Sequence, residues 1–208
     1  MARFRLHHAP NTRASGTLWL LEEAGADYAL VPHELSAGTH KTPTFLALNP
    51  QGKLPVLEDA GPAGDWTGVI VTEAAAIAAY LADALPEAGL APAPGTRGRA
   101  LYATAMLYSN AVMEPALMDK VSPRAQAPDP RMVGWPSFAE AVARVDGWLQ
   151  AGPWLLGETF SAADVVLGGG LAWYVGWRML EPTPAIARYV DALNARPARL
   201  RARELEAA

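Results

Sequence analysis

The chain has 208 residues, 51% of them hydrophobic and 18% charged, with 17 basic against 21 acidic side chains and a formal net charge of -4. That balance argues against wholesale disorder, and no basic patch offers itself to nucleic acid. Cysteine is absent, which excludes disulfides, thiolate-ligated zinc and any protein thiol nucleophile.

The first strand signal lies at residues 3–8, where Phe4 and Leu6 alternate with Arg3 and Arg5. A turn at Ala9-Pro10-Asn11-Thr12 follows. Residues 13–24 read as a helix with an apolar stripe around Leu18 and Leu21, stopped at Gly25. Tyr28 to Val31 suits a second strand. Residues 44–48 are weakly helical and close at Asn49-Pro50-Gln51-Gly52. Leu54-Pro55-Val56-Leu57 reads as a strand despite its proline. After a turn at residues 60–65, β-branched Val69-Ile70-Val71 reads as another strand. Glu73 to Ala84 is Ala-rich, with Ile77, Tyr80 and Leu81 at helical spacing.

Strands alternating with helices in this way predict a mixed sheet with helices packed on it. Residues 85–95 are rich in Pro, Gly and Ala and make a linker. Helices are predicted beyond it at 96–119, 134–150, 161–176, 184–194 and 197–206, with a loop at 120–133. Pro115 should kink or end the first of them. Ser161-Ala-Ala-Asp164 is a capping arrangement, in which Ser161 bonds a helix N–H and Asp164 reaches back to the Ser161 N–H. The arginines at 196, 199, 201 and 203 are broken up by Glu204 and Glu206 and read as a solvated helix face. The N-terminus lacks the apolar core of a signal peptide, and no run approaches the ~18–20 apolar residues of a membrane helix, so a cytoplasmic protein is expected.

Several blocks resemble one family: Leu6-His-His-Ala-Pro-Asn-Thr-Arg, Leu18-Trp-Leu-Leu-Glu-Glu-Ala-Gly, Asn49-Pro-Gln-Gly-Lys-Leu-Pro-Val-Leu, Thr72-Glu-Ala-Ala-Ala-Ile-Ala-Ala-Tyr-Leu and Leu156-Gly-Glu-Thr-Phe-Ser-Ala-Ala-Asp-Val-Val. Their order and spacing are similar to those of bacterial cytosolic glutathione S-transferases. The resemblance implies an α/β thioredoxin-like N-terminal domain at 1–84 that binds glutathione, and an all-α helical-bundle domain at 96–208 that supplies the electrophile site and dimer contacts. It implies a homodimer, no membrane or nucleic-acid partner, no metal, and no cofactor beyond glutathione as co-substrate.

The same resemblance assigns roles. Leu54 is the backbone clamp for the cysteinyl part of glutathione, and Pro55 is its cis proline. Glu73 takes the α-ammonium of the γ-glutamyl group, and the Ala74 N–H takes its carboxylate at a helix start. The family usually has Ser where this chain has Ala74, so a hydrogen bond of about 1 kcal/mol is missing. Lys41, Lys53 and Gln51, with His40, are candidates for the glycine carboxylate. A thiolate-stabilising donor belongs in the turn before the first helix. Thr12 is the first choice there, then Asn11, then Ser15, and either of the first two also suits a helix cap. Met106, Tyr108, Met113, Trp173 and Trp177 are candidates for a pocket that holds a flat apolar electrophile. His7 and His8 lack partners at metal-ligand spacing. The implied activity is transfer of the glutathione thiolate to a soft electrophile. A non-catalytic binding or regulatory member, and a glutathione-dependent peroxidase or disulfide reductase, are the alternatives.

Overall fold

The computed structural model describes residues 2–126 and 128–207. Contacts divide the chain into two units, residues 1–89 with 196–208, and residues 90–195.

The first unit opens with β1 (Phe4–His8), α1 (Ala14–Glu23), β2 (Tyr28–Pro32) and α2 (Pro43–Leu48). It continues with β3 (Val56–Asp59), β4 (Val69–Thr72) and α3 (Ala74–Ala84). The sheet order is β2-β1-β3-β4, with β1 parallel to β2 and antiparallel to β3, and β3 antiparallel to β4. Alternation along β1 buries Phe4 and Leu6, and Leu18, Leu57, Ile77 and Leu81 of the same unit are likewise fully buried. The third strand begins at Val56 rather than Leu54. Pro55 has no N–H to give a ladder, and the Leu54–Pro55 bond is cis.

The C-terminal helix, Pro197–Ala207, belongs to this first unit. It packs on α1, which explains why α1 is apolar all round, with Leu18, Trp19, Leu20 and Leu21 all buried. Three of the four arginines read as a solvated face, Arg196, Arg199 and Arg201, are instead docking groups. Arg196 forms a bidentate pair with Glu23 at 2.6 and 2.7 Å, and Arg201 bonds Glu22 at 2.8 Å. Arg199 is buried, its guanidinium 4.6 Å over the Trp19 ring. A helix expected to close the helical domain therefore groups with the α/β unit.

The second unit begins with α4 (Arg97–Tyr108), which runs through a π-helical turn, Ser109–Met113, into α5 (Glu114–Val121). Pro115 neither ends the helical run nor needs a partner, because the wide turn before it absorbs its missing N–H. Next come α6 (Phe138–Trp148), held by a Ser137–Glu140 capping box, then α7 (Gly169–Gly176) and α8 (Pro184–Asn194). The C-terminal helix is α9.

Buried Asp164, in the π-helical turn before α7, organises this unit. It accepts the N–H groups of Leu155 and Ser161 at 2.9 and 2.8 Å and the Tyr189 hydroxyl at 2.9 Å. Asp164 reaches back to the Ser161 N–H as expected, whereas the Ser161 hydroxyl differs from expectation and donates to the same carboxylate at 3.1 Å. Gly168 is a close approach, since a Cβ there would press into the Tyr189 hydroxyl and lie 2.5 Å from Leu193 Cδ1.

Candidate functional site

The strand register brings the sequence candidates to one end of the sheet. Val56, the first residue of β3, lies between His7 of β1 and Thr72 of β4, and His8 lies opposite Pro32 of β2. Just beyond those residues stand the Ala9–Arg13 turn, the Leu54–Pro55 pair, Glu73 with the start of α3, and the β2–α2 loop that carries Lys41. Adjacent strands are about 5 Å apart, so the four ends span on the order of 15 Å. An extended tripeptide is roughly 10 Å long.

In the turn, the three candidate donors differ in what they already bind. The Thr12 hydroxyl donates to the Ala9 carbonyl at 2.7 Å and accepts the Ala14 N–H at 3.1 Å. It therefore caps the start of α1, and its proton is committed. Ser15 donates its proton to the Glu206 carboxylate of α9. Asn11 is exposed, and its amide has no hydrogen-bond partner among the described residues. Its φ of 56° lies in the left-handed region, which Asn tolerates better than most residues. Asn11 is the free donor of the three, ahead of the α1 N-terminus and its positive dipole end.

Glu73 stands at the N-cap of α3 with φ 67° and ψ 118°, an unusual conformation for a residue with a side chain. It makes no side-chain cap to the helix, and its exposed carboxylate has no partner among the described residues. The N–H groups of the first turn, Ala74 among them, are left for an incoming anion.

On the other side, Lys41 reaches the Gln51 carbonyl at 3.0 Å. Asn49 shapes this loop: its side chain donates to the Lys53 carbonyl at 3.0 Å and accepts the Gln51 N–H at 3.2 Å. Gly52, at φ 61°, lies against the Lys41 side chain, where a Cβ would collide with it. Lys53 is exposed, and its ammonium has no partner among the described residues. His40 Nδ1 is buried without a hydrogen-bond partner among the described residues. Lys41, Gln51, Gly52 and the loop to Leu54 are thus gathered together.

His7 and His8 are both built into polar contacts. His7 Nδ1 lies 2.9 Å from His33 Nε2, and His7 Nε2 lies 3.1 Å from Glu58. Burial and then the facing His7 lower the His33 pKa, so His33 is neutral at neutral pH. His8 Nε2 lies 2.8 Å from Glu206. No group of three His, Cys, Asp or Glu among the described residues is arranged to hold a metal.

In the second unit the pocket candidates separate into two kinds. Met106, Tyr108 and Met113 are buried in the helical core, with Tyr108 edge-on to Trp148 at 5.0 Å. Burial raises the Tyr108 pKa, and Arg144 only partly offsets that. Trp173 and Trp177 are stacked at 5.4 Å and are 39% and 63% exposed.

Two contributors escaped sequence reading. Asn49 sits in an Asn-Pro-Gln-Gly loop, and the tendency of Asn to bond its own backbone two residues on in such a turn was the available signal. Glu206 had none, since its partners His8 and Ser15 lie at the opposite end of the chain.

A family model for the glutathione S-transferase N-terminal domain matches residues 2–83. Glutathione S-transferase GST-4.5 of Xanthomonas campestris pv. campestris is 30% identical over 155 residues, 70% of this chain and 72% of that protein. This chain belongs to the glutathione S-transferase family. The disulfide-bond oxidoreductase YfcG of Escherichia coli is 27% identical over 93% of this chain and 91% of its own length. The crystal structure of a glutathione transferase homologue from Sulfitobacter, with bound glutathione, superposes with a TM-score of 0.74 at 26% identity and covers 99% of each chain. The thioredoxin-like unit and helical remainder of the family are those described above, and no helix among the described residues is long and apolar enough to cross a membrane.

Proposed function

We propose that this chain is a glutathione transferase that binds glutathione across the four strand ends and activates its thiol for attack on a soft, apolar electrophile. The observation that carries this reading is the register that sets Asn11, Leu54, Glu73 and the Lys41 loop at one end of one sheet. Glutathione bears one cation, two carboxylates and one thiol. Glu73 meets the ammonium, the start of α3 takes the γ-glutamyl carboxylate, the Leu54 backbone clamps the middle, and Lys41 with Lys53 and His40 takes the glycine carboxylate.

Asn11 points its amide N–H at the sulfur. The thiol proton leaves to solvent, and the thiolate is stabilised by that donor and by the α1 N-terminus. The sulfur then forms a bond to the electrophilic carbon, and the leaving group departs with its electron pair. The Trp173–Trp177 stack offers a flat apolar face for such a substrate. The protein works in the cytoplasm as a homodimer.

The test is calorimetric titration with glutathione. Glu73→Ala removes a charge-assisted bond of about 1.5–3 kcal/mol and should weaken binding roughly ten- to hundredfold. Wild-type protein that shows neither heat nor a thiolate absorbance with glutathione would sink the reading.

A second reading is supported by the likeness to YfcG, whose name is that of a disulfide-bond oxidoreductase. Having no cysteine, this chain would leave both thiols to glutathione. One glutathione thiolate attacks a disulfide, forming a mixed disulfide and releasing one thiol. A second glutathione then displaces the other thiol and leaves glutathione disulfide. Turnover of a small dialkyl disulfide that greatly exceeds turnover of an activated aryl halide would favour this reading.

A further inference from the structure

We propose that Glu206 of α9 is a positioning residue for thiol activation, holding the two stems of the turn that carries Asn11 and Thr12. The proposal rests on the glutathione reading above.

One carboxylate oxygen does the holding. Glu206 Oε1 accepts the Nε2–H of His8, the last residue of β1, at 2.8 Å, and also accepts the hydroxyl of Ser15 in the first turn of α1. An ionised carboxylate only accepts, so His8 carries its proton on Nε2. Thr12 closes the turn from within, through Ala9 and Ala14. Glu206 instead sets the distance between the strand end and the helix start on either side of it.

The staple is itself preorganised. The Arg196–Glu23 and Arg201–Glu22 pairs dock α9 along α1, so the carboxylate arrives on a fixed helix face. The His8 side chain is 5% exposed and that of Glu206 16%. A water molecule therefore replaces the acceptor poorly if it is lost. Donors that stabilise developing charge act only when held within about half an ångström of their mark. A loosened turn should cost thiolate stabilisation before it costs tripeptide binding, because the groups proposed to bind the tripeptide's ends lie on α3 and the Lys41 loop.

The test titrates the thiol of bound glutathione by its thiolate absorbance, alongside the affinity for S-methylglutathione, which cannot ionise at sulfur. For Glu206→Ala the thiol pKa should rise by roughly one unit, about a tenfold loss of thiolate below the pKa. Affinity for S-methylglutathione should stay within about threefold of wild type. Glu206→Gln keeps an acceptor oxygen and should restore most of the thiolate.

If Glu206→Ala does not fold, Ser15→Ala, which cuts one stem only, should show a smaller rise in the same direction. An unchanged thiol pKa in whichever of these two variants is measured overturns the proposal. So does a loss of S-methylglutathione affinity in step with it, or a Gln variant as impaired as the Ala variant. Wild-type protein that binds neither glutathione nor its S-methyl derivative would instead defeat the functional reading beneath it.

Discussion

Replacing Asn11 by Gly separates the free donor from the capping hydroxyl next to it. Glycine accepts the φ of 56° at this position without strain, so the backbone of the turn is preserved while the amide is removed. A hydrogen bond to a charged acceptor contributes about 1.5–3 kcal/mol. At about 1.4 kcal/mol per unit, its loss should raise the pKa of bound glutathione by about 1–2 units. Thr12→Val is the counterpart. It removes an oxygen that donates to Ala9 at 2.7 Å and accepts from Ala14 at 3.1 Å. That should cost about 1–2 kcal/mol of fold stability but move the thiol by less than about half a unit. The thiol is followed by thiolate absorbance against pH, and stability by the urea midpoint of the same samples. The expected pattern is crossed: Asn11→Gly shifts the thiol and spares the fold, whereas Thr12→Val does the reverse. A larger thiol shift in Thr12→Val would show that the hydroxyl abandons Ala9 to reach the sulfur, and the assignment to Asn11 would fall.

Two further outcomes test the framework that holds the site. Gly168→Ala should destabilise the protein by roughly 3 kcal/mol, since the new methyl overpacks against Leu193 and pushes the Tyr189 hydroxyl off Asp164; an unfolding midpoint within error of wild type would contradict that packing. Acid should unfold the chain through Asp59 and Glu206. Burial raises both carboxyl pKa values, but hydrogen bonds from Arg3, Tyr80 and Gly61 to Asp59, and from His8 and Ser15 to Glu206, outweigh it and leave both lowered. A carboxyl lowered on folding adds stability above its unfolded pKa and loses it as pH falls through the folded value. The urea midpoint should therefore drop below roughly pH 4, and less steeply in Glu206→Gln; a midpoint flat through that range would contradict it.

Much of the fold was legible because its signals are local. The alternation of Phe4 and Leu6 with the arginines, the β-branched run at Val69–Val71 and the Ala-rich helix after Glu73 each report a periodicity that a single element satisfies by itself. The largest misreading, that of the C-terminal helix, has one cause: partners distant in sequence. Arginines 196, 199 and 201 look solvated when α9 is read alone, and only the acids and Trp19 of α1 turn them into docking groups. The all-round apolar face of α1 carried a trace of this, since a helix packed on a sheet alone needs only one buried stripe.

The site was legible in its parts and not in its commitments. Residue type nominates Asn11, Thr12 and Ser15 equally well as donors, since all can offer a proton. Which of them has a proton to spare depends on how the turn folds Thr12 back onto the Ala9 carbonyl and on a carboxylate from the far end of the chain, and residue type reports neither. The same holds at Glu73. Its charge and place before a helix suggested a ligand, but only its uncapped state and its φ of 67° distinguish a residue held ready for a cation from an ordinary helix cap. Residue chemistry therefore limits the candidates, while the hydrogen bonds already made in the resting protein decide among them. On that criterion Asn11 and Glu73, whose side chains have no partner among the described residues, stand ahead of the better-satisfied Thr12 and Ser15.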